Sequence, residues 1–273
     1  MFRSILVLAD EPERFEPALT FAVEFAQRFA SHLDVLHVRS DTVLPPIGAD
    51  LPPATVEMLS KAAQKAAQER EDGLRRIYER LRSITNVPMR WRVAAGPQPE
   101  TAAAVGRLND LTVVARPDDP YADDPWRKTV EAVLFSTGRP MLLLPRQLPS
   151  SFGERVAVAW NGSAQAARAV ADALPLLRDA KHTIVMTGGY VDDKVSTHHL
   201  VEYLDRHEIR AVAREFETGF ASIGEALLEH SRIEAATLLV MGAYSHSRLR
   251  EVVLGGATRD ILAAADLPVL MAR

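Results

Sequence analysis

The sequence predicts an α/β protein of two tandem doubly wound domains, each a parallel sheet flanked by helices, and three observations carry that expectation. At 273 residues the chain is too long for one minimal α/β module and fits two domains of ordinary size. The run Ile5-Leu6-Val7-Leu8-Ala9-Asp10 is echoed half the chain away by Val156-Ala157-Val158-Ala159-Trp160-Asn161, and Arg139-Pro140-Met141-Leu142-Leu143-Leu144 by Leu267-Pro268-Val269-Leu270-Met271. Between these landmarks short aliphatic runs alternate with amphipathic stretches, the pattern of parallel strands joined by crossover helices.

Taken in order, the first half reads as strands over 4–9, 33–38, 88–94, 111–115 and 140–144, with helices over 15–31, 54–84, 98–108 and 126–137. The second reads as strands over 155–160, 182–187, 209–215, 237–241 and 268–272, with helices over 163–178, 195–206, 220–235 and 256–265. Pro140 and Pro268 suit the first residue of a strand, where a missing N–H costs little. Pro175 falls inside a helix and is expected to kink it. The long helix 54–84, rich in Ala, Gln, Lys and Glu, reads as mostly surface, covering either a pocket or simply the sheet. Pro145 to Gly153 is dense in turn residues and serves as the linker, which sets domains of 1–148 and 153–273.

Composition narrows the function. With 47% apolar and 25% charged residues and a net charge of -4, neither disorder nor a nucleic-acid partner is favoured. No apolar run approaches the roughly 20 residues of a membrane span. The first apolar run is of strand length and ends in Asp10, Glu11 and Glu13, so no secretory leader is expected and the reading is cytoplasmic. Absent cysteine excludes disulfides, thiolate metal sites and cysteine nucleophiles. Dinucleotide fingerprints, Walker loops and nucleophile elbows are missing too, so binding is expected rather than turnover, with no catalytic residue assigned.

Doubly wound sheets bind ligands beyond the carboxyl ends of their strands. In the second half those loops are Asn161-Gly162-Ser163 and the stretch from Gly242 to Thr258. Glycines at 242, 255 and 256 allow close backbone approach, and the last two stand where a helix should start, a position that favours an anion such as phosphate. Thr258 could add a hydroxyl; an ordinary capped turn fits the same residues.

The segment Met241 to Thr258, followed by Leu267-Pro268-Val269-Leu270, resembles the closing segment of universal stress proteins, whose nucleotide motif runs glycine, two residues, glycine, nine residues, glycine, then serine or threonine. Gly242 and Gly255 fall on the first and third glycines, Ser245 replaces the second, and Gly256 stands at the hydroxyl position. Asn161-Gly162-Ser163 resembles the family's Asp-Gly-Ser, with amide in place of carboxylate. The resemblance implies two domains of strand order 3-2-1-4-5, of the kind shared with adenine nucleotide alpha hydrolases. It implies ATP, ADP or AMP held by Gly242, Ser245, Gly255, Gly256 and Thr258 at the phosphates and by Asn161 and the backbone near Thr187 at the nucleoside, with Mg2+ accompanying a triphosphate. It also implies an internal pseudo-dimer in which 141–144 pairs with 269–272, with a further homodimer open, and a stress-response regulatory or adaptor role. A nucleotide-independent scaffold and a slow nucleotide hydrolase are the alternatives.

The first half argues against a second site. Its fourth strand runs into Arg116 to Pro125, where prolines and four aspartates replace glycines; proline removes amide donors and carboxylates repel a triphosphate. Asp10 matches the family's first-loop carboxylate, but alone it makes half a site. His198 and Glu202 share a helix face and read as a solvated pair, with no metal site assigned; His246 and Arg248 could reach phosphates or stay exposed.

Overall fold

The computed structural model describes residues 1–39, 52–117, 125–189, 191–217, 219, 221–243 and 256–273. In the first half the strands are β1 (Ser4–Ala9), β2 (His32–Arg39), β3 (Met89–Ala95), β4 (Leu111–Ala115) and β5 (Met141–Leu144), alternating with helices α1 (Pro12–Phe29), α2 (Pro53–Ser83), α3 (Gln98–Gly106) and α4 (Pro125–Ser136). The second half repeats the pattern with β6 (Arg155–Ala159), α5 (Ala164–Asp179), β7 (His182–Gly188), α6 (Thr197–Arg206), β8 (Ala211–Phe216), α7 (Ile223–Ile233), β9 (Leu238–Gly242), α8 (Gly256–Ala264) and β10 (Val269–Ala272).

All ten strands form one sheet in the order β3-β2-β1-β4-β5-β10-β9-β6-β7-β8. Counted within its own half, each five-strand set has the order 3-2-1-4-5 and is parallel throughout. The halves meet through β5 and β10, the single antiparallel pair among the described residues, in the register Met141 to Met271, Leu142 to Leu270 and Leu143 to Val269. The internal pairing expected of the two last strands is therefore present.

Strands buried on both faces need apolar residues at every position. Along β1, Ile5, Val7 and Ala9 enter a core shared with α1, α2, α5 and α6, while Leu6 and Leu8 enter the opposite core, shared with α3, α4, α7 and α8. Phe152, between β5 and β6, fastens the connection to α1 by edge-on contact with Phe21 at 4.8 Å.

Element limits differ from expectation where capping decides them. α7 starts at Ile223 because Ser222 and Glu225 form a capping box that fixes the first turn. α6 starts at Thr197, behind a separate single-turn 3-10 helix, Asp193–Val195. Both α1 and α5 run on through an internal proline, Pro17 and Pro175. In α2 only Leu74, Tyr78 and Leu81 are buried, so its last third covers the sheet and the stretch 53–70 stays exposed or half-buried.

Two arginines fasten the halves reciprocally. Arg116, just after β4, donates from Nη1 to Ala263 O in the last turn of α8. Arg273, just after β10, donates to Phe135 O in the last turn of α4 at 3.5 Å and lies 4.7 Å from the Phe135 ring centroid. Each cation thus meets the negative end of the other half's helix.

Candidate functional site

In the second half three strand ends arrive at one edge. Ala159 stands opposite both Met186 and Met241, so Thr187 and Gly242, at the ends of β7 and β9, flank Trp160, and Asn161 follows one residue further along the loop after β6. Gly242 lies against the first turn of α5, where a Cβ would come 2.4 Å from Ala166 N and 2.6 Å from Gln165 C. Glycine alone permits that approach. The turn is held by Ser163, whose hydroxyl accepts from Ala166 N at 3.1 Å. Asn161 Oδ1 accepts from Ser163 N at 3.1 Å, a local turn that draws part of its amide back onto the main chain.

α8 opens at Gly256, which is exposed and where a Cβ would meet nothing within 4 Å among the described residues. The N–H groups of a helix's first turn lack intrahelical acceptors, and the macrodipole is positive there. Gly224 brings α7 against this turn, since a Cβ on it would stand 2.9 Å from Ala257 O. Thr258 is buried. Thr187 is buried as well, its hydroxyl 2.8 Å from that of Thr197, so its position offers a ligand main chain rather than side chain. Ser245, Gly255, His246 and Arg248 lie outside the described residues.

The sequence did not suggest the apolar lip beside Asn161. The 3-10 turn Asp193–Val195 crosses the loop after β6, with Trp160 Nε1 donating to Val195 O at 2.8 Å. Gly162 has φ +72° and sits so close beneath it that a Cβ would lie 2.6 Å from Val195 Cγ2 and 3.2 Å from Val191 Cγ1. A glycine after the first strand was the one available signal.

The corresponding mouth of the first half is occupied by its own side chains. Asp10 pairs with Arg14 and accepts from Gln98 Nε2 at 3.2 Å. The Arg14 guanidinium lies 5.3 Å from the ring centroid of Trp126, whose Nε1 donates to Ala115 O at 3.0 Å, so a cation and an indole bridge the ends of β1 and β4. Burial pushes the neighbouring Glu11 carboxyl up, against the pull of Arg70 at 3.1 Å. Of the proline and aspartate loop, residues 118–124 lie outside the described residues.

His198 and Glu202 form an exposed pair at 3.2 Å, and among the described residues no group of three or more His, Asp or Glu side chains is gathered as a metal site. Among the described residues no helix is long and apolar enough to cross a membrane.

Residues 1–115 and 153–273 both match the model of the universal stress protein family. The chain belongs to that family. Two matched segments on one continuous sheet make it a tandem universal stress protein. It is 29% identical over 146 residues to Universal stress protein Slr1230 of Synechocystis sp., a match that takes in 53% of this chain and 50% of that relative, about half its length. A universal stress protein of Archaeoglobus fulgidus superposes with a TM-score of 0.72 at 16% identity, covering 99% of this chain and 96% of the other. A putative universal stress protein of Pseudomonas aeruginosa superposes with a TM-score of 0.57 at 16% identity, covering 99% and 93%. At such identities the likeness speaks for the fold.

Proposed function

We propose that the C-terminal half of this tandem universal stress protein binds an adenine nucleotide, ATP, ADP or AMP, and that the protein serves as a cytoplasmic stress-response regulator or adaptor whose state follows the occupant. The observation that carries the reading is the edge where β9 meets α5 without a side chain at Gly242 and α8 begins with an open backbone at Gly256. Phosphate would sit on the first-turn amides of α8, with Ser245 and Gly255 completing the family motif. The base would lie toward Asn161 and the lip of Val191 and Val195, and the backbone near Thr187 would complete that end. A magnesium ion would be held chiefly by the triphosphate itself. The N-terminal half, its mouth bridged by Arg14 and Trp126, would complete the internal pair.

The test is a titration of wild type and Gly256→Asp with ATP, ADP and AMP, with and without magnesium. A Cβ at Gly256 meets nothing within 4 Å among the described residues, and a carboxylate suits a helix start, so the variant should fold as well as wild type. It places negative charge where phosphate would bind and should lose the nucleotide. Binding that survives the change would refute the site. Release of phosphate from bound ATP would mark the slow hydrolase. A nucleotide-independent scaffold is favoured by the exposed stretch 53–70 of α2 and predicts no response to any nucleotide.

A further inference from the structure

The sheet ends on two strands, β3 and β8, and the chain treats their free edges differently. At β3, α2 closes on the strand: Tyr78 Oη donates to Met89 O at 3.2 Å, and the Arg75 guanidinium lies over the rings of Tyr78 and Trp91. Beyond β8, among the described residues, no strand is paired. Ala213, Arg214 and Glu215 are exposed in succession, and Val212 is 49% exposed. Glu234, the residue after α7, meets Arg214 at 3.4 Å, and Ile233 before it is 65% exposed.

The ladder shows which main-chain groups of β8 are spare. Trp160 N donates to Met186 O at 2.9 Å, so Met186 turns its main chain to β6, while Val185 and Thr187 turn theirs to β8. Val185 stands opposite Ala213 and Thr187 opposite Glu215, and the slanted bonds of a parallel pair then go to Val212, Arg214 and Phe216. Ala211, Ala213 and Glu215 therefore point N–H and C=O away from the sheet. A bond within the strand agrees: Arg214 Nη1 donates to Ala213 O at 3.2 Å, as an outward carbonyl allows.

We propose that β8 is the seat of a homodimer in which two copies pair antiparallel about a two-fold axis at Ala213, joining their sheets edge to edge. The three outward residues are symmetric about that position. Ala213 faces its own copy and Ala211 faces Glu215, an arrangement that exchanges roughly six N–H···O bonds. A two-fold axis makes one residue face itself, so the neighbouring registers are centred on Val212 or Arg214. The first sets Arg210 against Arg214 and the second sets Arg214 against itself, and like charges directly opposite destabilise a strand pair. Centred on Ala213, Arg214 faces Val212 and covers it with its aliphatic stem. The two Arg214 side chains then stand a diagonal of roughly 7–8 Å apart, each keeping its Glu234. An unrelated strand would meet the same donors and acceptors without this symmetry. The surface lies at the opposite edge of its half from β10 and apart from the site proposed for nucleotide, and the two proposals stand or fall independently.

Sedimentation equilibrium of the full chain from about 1 to 200 µM reads the association, because an interface built on one strand pair is expected to dissociate at about 10–100 µM. Ala213→Pro removes the N–H at the axis, and because that group faces outward the bonds to β7 remain. Ala213→Lys sets two ammonium groups directly opposite each other. Both variants should keep the wild-type circular dichroism and weaken dimerisation at least about tenfold. The chain has no cysteine, so Ala213→Cys places one thiol per chain at the axis, with Cα atoms about 5.5 Å apart and within disulfide reach. Mild oxidation should give a covalent dimer from Ala213→Cys and none from Ala62→Cys, an exposed position on α2. A chain that stays monomeric at about 200 µM overturns the proposal and leaves the edge to a strand from another protein. So does a dimer that survives both Ala213→Pro and Ala213→Lys, or an Ala213→Cys protein that crosslinks no faster than Ala62→Cys.

Discussion

Replacing Gly242 by alanine tests the geometry on which the nucleotide site rests. The new methyl would stand 2.4 Å from Ala166 N, 2.6 Å from Gln165 C and 2.9 Å from Ala166 Cα, all of them main chain, where ordinary contact begins at 3.4 Å. No side chain can swing aside, so the first turn of α5 must retreat by about 1 Å, and Ala166 N, now 3.1 Å from Ser163 Oγ, then leaves its cap. Overpacking costs about 1–3 kcal/mol and a lost cap about 1 kcal/mol, so the sum is about 2–4 kcal/mol. For a chain of this size that lowers the melting temperature by roughly 5–15 °C. Differential scanning calorimetry reads it directly, with Gly256→Ala as the control, expected within about 2 °C of wild type because its methyl meets nothing within 4 Å among the described residues. A Gly242→Ala protein that melts with wild type would refute the close approach of β9 to α5.

Other consequences follow from the same structure. Arg116→Met removes the cation that meets the last turn of α8 and should destabilise the protein by about 1–2 kcal/mol in urea unfolding, while Arg273→Met, whose bond is 3.5 Å long, should cost about half as much or less. Asp34 is 5% exposed; burial pushes its carboxyl up, but the bidentate Arg90 pair at 2.7 and 2.8 Å, with Arg92 and His32, outweighs that and holds it below 3.8. A depressed folded value gives stability that is full above the unfolded value and is lost as pH falls through the folded one. Wild type should therefore exceed Asp34→Asn in melting temperature at pH 7, and the gap should close below about pH 4. A gap that is constant from pH 7 to about pH 2 would contradict the pairing.

Much of this fold could be read from local pattern, because each strand is an apolar run bounded by turn residues and each half repeats the other. The expected strand over 4–9 is β1 itself, and Pro140 and Pro268 lie one residue before β5 and β10, each lending its carbonyl to a neighbouring strand, to Thr112 N at 3.2 Å and Leu239 N at 3.0 Å. The Ser222 and Glu225 pair could have placed the start of α7 from spacing alone. The site is legible in a different measure. Gly242 was visible as a glycine after a strand, but the reason for it, Ala166 N from a helix some 76 residues earlier, is a tertiary contact that no local period records. The same holds for Val195 over Gly162 and for Arg116 on Ala263, which meet across 147 residues. At the N-terminal mouth, Asp10 and Arg14 stand at helical spacing and could have been paired, whereas Trp126 reaches them only through the crossing of α4.

The central claim, one nucleotide site per chain and that site in the C-terminal half, is tested most directly by calorimetric titration of ATP with magnesium into wild type, Gly256→Asp and Asp10→Asn. The account predicts one site per chain, abolished by Gly256→Asp and untouched by Asp10→Asn. Two sites per chain, or binding that survives Gly256→Asp and is lost in Asp10→Asn, would contradict it.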